Sequence, residues 1–258
     1  MEEYSVEKLK EIFEKHWRVG YGSIAADEVL FVQDLIQKYR PVDFLEVGMA
    51  SGLSGGVICQ LLEWNSARTF TSIDHDDTFF ADKTKENGFL INQIYTGNAV
   101  EVQKHFFVTT PKLAQFEKKF QMSFVDANHQ HPWPLIDTLC IFPYLSGDKV
   151  LIHHDLHLYQ KQPVVRGIGP KYLFDQFPER NRITSDANHG NIYALKLDDL
   201  TSADIEEVAI RCFYLPWSIM SPLAPALVEV LDGIFSEFYS QRLVDAFHTA
   251  LDRFNERK

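Results

Sequence analysis

Residues 42–55 read VDFLEVGMASGLSG, an apolar run that passes into a glycine-rich loop. The run has the length and composition of a buried strand. Glycines at 48 and 52 allow the backbone to turn sharply and a ligand to approach it closely. A helical pattern follows at 52–63. The stretch therefore predicts a strand, a tight loop and a helix, which is the repeating unit of a parallel α/β fold.

The same alternation continues to residue 155. The expected strands cover residues 42–47, 70–74, 92–97, 122–127 and 149–155. The expected helices cover residues 52–63, 78–88, 99–120 (broken by Pro111) and 133–145, with another near 170–177. A short connection, Ala187-Asn188-His189-Gly190, then predicts an antiparallel hairpin. We predict a doubly wound α/β fold with a mostly parallel seven-stranded sheet that ends in this hairpin.

Helical segments flank the α/β domain, which we place at residues 41–198. The amino-terminal segment, 1–40, has two helices separated by Gly20-Tyr21-Gly22-Ser23 and ends at Arg40-Pro41. The carboxyl-terminal extension, 199–258, carries an apolar stripe at helical spacing after Ser221-Pro222. Such a stripe needs a packing partner, which is either the chain's own sheet or a second copy in a homodimer.

Composition limits the partners and the compartment. The formal net charge is −11 and no basic run exceeds two residues, which disfavours nucleic acid. The three cysteines, at 59, 140 and 212, are far apart in apolar surroundings and indicate free thiols in a reducing compartment. No apolar run reaches the length of a membrane span, and the amino terminus lacks a secretory signal. We therefore expect a cytoplasmic protein that acts on a small molecule.

Ligands of open parallel sheets bind outside the carboxyl ends of the strands, so the residues there are the candidates for function. Gly48-x-x-x-Gly52 differs from the Gly-x-Gly-x-x-Gly of nicotinamide and flavin binders. Asp74 ends the second strand at a spacing that suits an acid holding ribose hydroxyls. Asn98 follows the third expected strand, where its amide either contacts an adenine edge or caps the next helix.

The fourth and fifth strand ends are rich in carboxylates and imidazoles. They read FVDANHQHPW (124–133) and KVLIHHDL (149–156). Because these strands are neighbours in such a sheet, Asp126 and Asp155 should face one another and could share a divalent ion. His129 and His154 lie beside them in the sequence. An imidazole either accepts a proton or binds zinc, iron or nickel in preference to magnesium.

The five motifs in this order resemble the class I S-adenosylmethionine-dependent methyltransferases. EVGMASG, the acid of SID, and GNA look like the first three motifs of that family. The last two motifs resemble an O-methyltransferase-like branch that includes catechol, caffeoyl-coenzyme A and macrocin-type enzymes. The match covers roughly residues 20–197, although many relatives have Asp at the position of Asn98. The resemblance implies that the cofactor is bound by Glu46, Gly48, Ala50, Ser51, Gly52, Asp74, Asn98 and Asp126.

The resemblance also implies a reaction, in which a methyl group passes from S-adenosylmethionine to a small-molecule acceptor, with a hydroxyl oxygen as the nucleophile. His129 is the first choice of base, and Asp126 and His154 are the other candidates. A divalent metal, if required, would be held by Asp126 and Asp155. Metal-dependent relatives place Asn or Asp after the second carboxylate, whereas Leu156 stands there in this chain.

Two other functions stay open on the sequence. The chain could be a non-catalytic cofactor-binding or interaction protein built on the methyltransferase fold. It could also be an iron oxygenase, because His153-x-Asp155 with a distant histidine resembles a two-His-one-carboxylate site. Those oxygenases usually have a β-barrel, which the alternation of strands and helices does not support.

Overall fold

A single sheet organises the computed structural model, which describes residues 3–22, 24–161 and 164–257, without the side chains of 164 and 165. Within those ranges the sheet has seven strands in the order β3-β2-β1-β4-β5-β7-β6. The first five are parallel, and β7 runs antiparallel to both β5 and β6. This confirms the predicted fold. The strands are β1 (Asp43–Val47), β2 (Thr69–Asp74), β3 (Glu101–Phe106), β4 (Phe120–Val125), β5 (Leu145–His153), β6 (Arg182–Thr184) and β7 (Tyr193–Lys196).

Helices cover the sheet on both faces. They are α1 (Val6–His16), α2 (Ala26–Tyr39), α3 (Leu53–Trp64), α4 (Ile91–Ile94), α5 (Trp133–Ile141), α6 (Leu158–Lys161), α7 (Val164–Gly167), α8 (Gly169–Gln176), α9 (Ser202–Phe213), α10 (Pro225–Phe238) and α11 (Gln241–Asn255). The predicted break between the first two helices is present, although Ser23 lies outside the described residues. None of the helices in the described ranges is long and apolar enough to cross a membrane.

The central strands are apolar on both faces because each face meets its own layer of helices. Phe44 of β1 packs in a cluster with residues of α1, α2 and α3. The next residue, Leu45, packs in a second cluster with residues of α5, α8, α9, α10 and α11. Successive side chains of a strand point to opposite faces, so a strand buried on both sides needs a continuous apolar run. This is why VDFLEV identifies β1 so clearly in the sequence.

The third strand is not where the sequence predicted it. Residues 92–97 contain the end of α4 and a loop, and β3 follows at Glu101–Phe106. The predicted helix at 78–88 is an irregular segment with one isolated bridge between Thr78 and Glu86. The predicted helix at 99–120 is replaced by β3 and a 3₁₀ helix at Thr110–Phe116. β3 is an edge strand with no fully buried residue, so its sequence, EVQKHF, lacks the apolar run of a central strand.

Much of the carboxyl-terminal stripe packs inside the chain, although Val230 of α10 is 46% exposed. Phe235 of α10 and Phe247 of α11 are fully buried, with ring centroids 5.4 Å apart in an edge-to-face contact. Both belong to the cluster that also contains Leu45 and Leu151 of the sheet. Of the two packing partners considered for the stripe, the chain's own core is therefore the one observed. The buried members of the stripe are not available for a homodimer contact.

Candidate functional site

The loop after β1 requires glycine at two positions. Gly48 has φ +93°, and a Cβ atom there would lie 2.2 Å from the carbonyl oxygen of Asp126. Gly52 has φ +83°, and its Cβ would lie 2.6 Å from Cα of Gly88. A larger residue would be strained and would push the neighbouring loops away. The two glycines therefore let the β1 loop contact the segment after β4 on one side and the segment before α4 on the other.

The same loop carries a polar atom without a partner. Ser51 is buried, and among the described residues its Oγ has no hydrogen-bond partner. Ala50, beside it, is half-buried with φ +45°. Buried polar atoms in proteins are nearly always hydrogen-bonded, so an unpartnered hydroxyl at a strand end fits a ligand group. Ser51 is thus the loop residue whose surroundings best suit the predicted cofactor contact.

Asp74, at the end of β2, is attached to this loop. Its Oδ2 accepts a hydrogen bond from the Met49 backbone N–H at 2.8 Å, and its Oδ1 lies 3.0 Å from Nδ1 of His75. Burial disfavours the charged form, but the hydrogen bonds from His75, Met49 and Asp76 outweigh it and lower the pKa of Asp74. The carboxylate is therefore ionised and held next to the loop, where the sequence places a ribose contact.

Glu46 lies in the interior. Its side chain is 0% exposed and accepts hydrogen bonds from Ser72 Oγ at 2.6 Å and from Ser54 Oγ at 3.0 Å. Burial raises the pKa of Glu46 to about 8, against the opposing effect of the two serine hydrogen bonds. The resemblance implies a cofactor contact for Glu46. The structure instead gives this carboxyl two partners inside the protein.

Glu46 should make stability depend on pH. Its raised pKa means that its stabilising contribution is complete below the unfolded value near 4.5 and is lost as pH rises through about 8. Glu46→Gln should remove this loss and be more stable than the native chain at pH 8, by on the order of 1–3 kcal/mol, the usual cost of a poorly solvated buried polar group. Denaturant unfolding from pH 5 to 9 measures it, with Glu229→Gln at an exposed site of α10 as the control. If the free energy of unfolding changed with pH in the same way for Glu46→Gln and the native chain, the raised pKa of Glu46 would be contradicted.

Asn98 is not at the carboxyl end of a strand. It precedes β3, whose first residue Glu101 pairs with Thr69 at the amino-terminal start of β2. The predicted position was wrong because the edge strand was missed, and the structure does not bring Asn98 to the other candidates. The true end of β3 is at Phe106, after which Phe107 has φ +60° and the Val108 N–H donates to the Asp74 carbonyl at 2.9 Å. The sequence reasoning missed this segment entirely.

Carboxylates and imidazoles converge at the ends of β4 and β5. Nε2 of His129 lies 3.2 Å from Oδ1 of Asp126 and 3.4 Å from Oδ2 of Asp155. Nδ1 of His154 lies 3.3 Å from Oδ1 of Asp126 and 3.6 Å from Oδ1 of Asp155. We call these four residues the Asp–His centre. The predicted approach of Asp126 and Asp155 is confirmed, and both histidine candidates join them.

The Asp–His centre is open on one side. The side chains of Asp126 and Asp155 are 22% and 20% exposed, whereas His154 is 6% exposed. Burial disfavours the charge on Asp126, but His154 and His129 outweigh it and hold its pKa well below the usual range. Burial also opposes charge on the two histidines, yet the neighbouring carboxylates raise the pKa of both. The centre is thus a compact set of mutually stabilising charges that a small molecule can reach.

A third carboxylate, Glu28 of α2, lies behind the centre. It is 0% exposed, and its Oε2 lies 3.0 Å from Nε2 of His154. Asn191, which precedes β7, donates to Asp155 Oδ1 at 2.9 Å and to Glu28 Oε1 at 3.4 Å. Sequence reasoning missed both residues. An acid in the first turn of a helix is usually a solvated partner of the helix dipole, so the sequence contains no signal that marks Glu28.

The remaining histidines of these two loops are structural. His153 is buried and stacks on Tyr193, and its Nε2 forms a hydrogen bond with Thr138 Oγ1 at 3.1 Å. Burial lowers its pKa to about 3. His131 is fully buried beside Tyr172, and burial lowers its pKa to about 4. Both imidazoles are therefore neutral and inaccessible. The His153-x-Asp155 pattern of an iron oxygenase is accordingly not assembled here, because His154 rather than His153 faces the carboxylates.

Comparisons with known proteins bear on the fold that holds this site. Residues 45–156 match a family model described as a methyltransferase domain. No curated protein sequence matches the chain at a significant level.

Among solved structures, an O-methyltransferase from Bacillus cereus in complex with SAH is 15% identical with a TM-score of 0.54, and the alignment covers 76% of this chain and 92% of that one. The O-methyltransferase TomG from Streptomyces achromogenes, involved in tomaymycin synthesis and in complex with SAM, is 15% identical with a TM-score of 0.50, covering 76% and 91%. At this identity the structural likeness establishes the fold, and the matched domain covers β1 to the end of β5.

Proposed function

We propose that this chain, whose residues 45–156 match a methyltransferase domain, transfers a methyl group from S-adenosylmethionine to a hydroxyl oxygen of a small molecule. One observation carries the proposal. The close contact between Gly48 and the Asp126 backbone joins the β1 loop to the Asp–His centre. A cofactor site and a group able to accept a proton therefore lie side by side at the carboxyl edge of the sheet.

The residues around the β1 loop fit S-adenosylmethionine. Asp74 is ionised beside the loop and suits ribose hydroxyls, and Ser51 Oγ is a buried polar atom that needs a partner. Asp126, on the adjoining segment, supplies negative charge toward the positively charged ligand. When bound, S-adenosylmethionine supplies an activated methyl group. The contribution of the protein is alignment, which in model systems is worth up to roughly 7–11 kcal/mol.

The Asp–His centre fits a divalent cation. One ligand atom from each of Asp126, His154 and Asp155 lies within 4.8 Å of the others. Nε2 of His129 and Nδ1 of His154 are buried, and neither has a hydrogen-bond partner in the part of the chain that the structure describes. Ring nitrogens that lack a hydrogen-bond partner and lie among carboxylates suit a bound metal ion. A cation held there would polarise the acceptor hydroxyl and lower its pKa.

The remaining requirement is removal of the hydroxyl proton. Nε2 of His129 lies between the carboxylates of Asp126 and Asp155, whose side chains are partly exposed. In its neutral form this nitrogen accepts the proton as the oxygen attacks, and the two carboxylates stabilise the imidazolium that results. The proton therefore moves from the acceptor oxygen to His129, while Asp126 and Asp155 keep the ring in position.

Calorimetry and a methyl-transfer assay test the proposal. S-adenosylmethionine and S-adenosylhomocysteine should bind at micromolar levels, whereas nicotinamide dinucleotides should not bind. Asp74→Ala should weaken binding by about tenfold, in line with the loss of one or two hydrogen bonds to a charged group. Asp82→Ala is the matched control and should bind normally, because Asp82 lies in the loop after β2 with its side chain 37% exposed.

The assay of transfer separates catalysis from mere binding. Labelled methyl groups should appear on a member of a panel of phenols, sugars and other hydroxylated small molecules. Tight cofactor binding without transfer to any hydroxyl acceptor would favour the non-catalytic alternative. Transfer to a nitrogen or sulfur acceptor instead would keep the methyltransferase and overturn the assignment of oxygen.

A further inference from the structure

Glu28 is a buried carboxylate whose four hydrogen-bonding contacts connect it to three parts of the fold. Oε2 accepts from the Ala25 backbone N–H and lies 3.0 Å from His154 Nε2. Oε1 accepts from Asn188 Nδ2 at 3.2 Å and from Asn191 Nδ2 at 3.4 Å. A buried charge is costly unless it is fully paired, and this one is. Helix α2 thereby reaches the end of β5 and the β6–β7 hairpin through one side chain.

The contact with Glu28 determines which nitrogen of His154 carries the proton. A carboxylate only accepts hydrogen bonds, so the ring nitrogen facing it, Nε2, bears the hydrogen. The other nitrogen, Nδ1, is then the one that can exchange its proton for a metal ion. Nδ1 is buried and has no hydrogen-bond partner within the described ranges, and it faces Oδ1 of Asp126 at 3.3 Å and Oδ1 of Asp155 at 3.6 Å. Either a proton on Nδ1 or a metal ion could join this nitrogen to the two carboxylates, and the distances between the atoms separate these two cases.

The two separations that involve Nδ1 of His154 are close to the separation of ligands around a metal ion. Ligand atoms that each lie about 2.0–2.1 Å from one ion are about 2.8–3.0 Å apart in octahedral geometry and about 3.3–3.4 Å apart in tetrahedral geometry. The His154 Nδ1 contacts with Asp126 and Asp155, at 3.3 and 3.6 Å, are at or just beyond this range. A charged imidazole hydrogen-bonded to a carboxylate would lie closer, at about 2.7–2.9 Å.

We propose that Asp126, Asp155 and His154 form a nitrogen-and-oxygen site for a zinc-type divalent metal in preference to magnesium, and that Glu28 is the positioning residue of its histidine ligand. Imidazole favours zinc, iron and nickel, whereas magnesium prefers all-oxygen sites. A second carboxylate that holds the far nitrogen of a ligating histidine fixes its orientation and strengthens it as a ligand. The proposal rests on the site of the proposed function but not on methyl transfer itself.

A simpler role for Glu28 has to be separated from this one. Glu28 also accepts the N–H of Ala25 at the start of α2, so it could act only as a helix cap. A cap would affect the stability of the fold and leave the metal preference unchanged. Glu28→Gln keeps an acceptor for the Ala25 N–H but removes the negative charge that faces His154. The readout must therefore be metal affinity in a variant shown to be folded.

The experiment titrates the chelator-treated full-length protein with Zn²⁺, Co²⁺ and Mg²⁺ against a competing chelator. The native chain should bind one equivalent of Zn²⁺ or Co²⁺ much more tightly than Mg²⁺, with visible Co²⁺ absorption bands from a nitrogen-containing site. Glu28→Gln should lower Zn²⁺ affinity about 10–100-fold, as removal of such a supporting carboxylate typically does. Asp27→Asn is the matched control: Asp27 contacts the Asn188 backbone but not His154, and Zn²⁺ affinity should stay unchanged. His154→Gln should remove the preference for Zn²⁺ over Mg²⁺.

Two results would overturn the proposal. One is a native chain that binds Zn²⁺ and Co²⁺ no better than Mg²⁺. The other is a Glu28→Gln protein with a native melting curve and unchanged Zn²⁺ affinity, which would reduce Glu28 to a helix cap. Failure of the proposed function has a different signature, because metal would then bind as expected while no methyl transfer is detected.

Discussion

Asp126→Asn is expected to lower kcat for methyl transfer by about 10²–10⁴-fold, the range typical for the loss of general acid–base catalysis. Oδ1 of Asp126 lies within 3.3 Å of both His129 Nε2 and His154 Nδ1. Asparagine has nearly the same shape, so the loop after β4 should keep its position. The loss should therefore come from the missing charge, which both holds the two imidazoles and completes the proposed metal site. Single-turnover kinetics at saturating S-adenosylmethionine measures it.

The control for this experiment is Asp198→Asn, at a surface ion pair with Lys196 remote from β4. Its turnover should match that of the native chain. S-adenosylhomocysteine binding to Asp126→Asn should be weakened much less than turnover. An Asp126→Asn enzyme that turns over normally would remove the Asp–His centre from the reaction, whereas a variant that loses binding and turnover equally would assign Asp126 to the cofactor alone.

The parts of the fold that the sequence predicted correctly are those in which burial leaves a periodic signal. β1, β2, β4 and β5 are central strands with apolar residues on both faces, and all were located from their apolar runs. β3 was missed because it pairs on one side only and exposes polar residues such as Glu101 and Gln103. That single error carried Asn98 into the predicted cofactor site, since the residue was placed by the strand it was thought to follow.

The site residues that the sequence identified are likewise those at the ends of central strands. Asp74, Asp126 and Asp155 follow central strands, so the rule that ligands bind at the carboxyl ends was sufficient to select them. Glu28 and Asn191 contact the centre from 126 and 36 positions away in the sequence, counted to His154 and to Asp155. No local pattern encodes such contacts, because they depend on how α2 and the hairpin pack against β5. The three sequence segments drawn at 1–40, 41–198 and 199–258 stay a prediction, and Glu28 shows that the first supplies a side chain to the site of the second.

His129→Ala is expected to lower kcat by about 10²-fold or more with little change in cofactor affinity, because it removes the proposed base. Its imidazole is active when neutral, so the native rate should rise with pH through the pKa of His129. Burial works against charge on this ring, but Asp126 and Asp155 outweigh it, and the limb should therefore lie above the ordinary value near 6.5. A bound cation offsets the two carboxylates and should move the limb to lower pH than in chelator-treated enzyme.

The choice of control histidine follows from burial. His131 is unsuitable because it is fully buried against Tyr172, and its removal would leave a cavity. His248→Ala is better, because His248 pairs with Asp232 on the surface of α10 and α11, remote from the strand ends. It should leave both kcat and the pH profile unchanged. Near-normal turnover of His129→Ala, with the acidic limb still present, would transfer the role of base to His154 or Asp126. A limb that disappears together with the activity would instead identify His129 as the group that takes the proton from the acceptor oxygen.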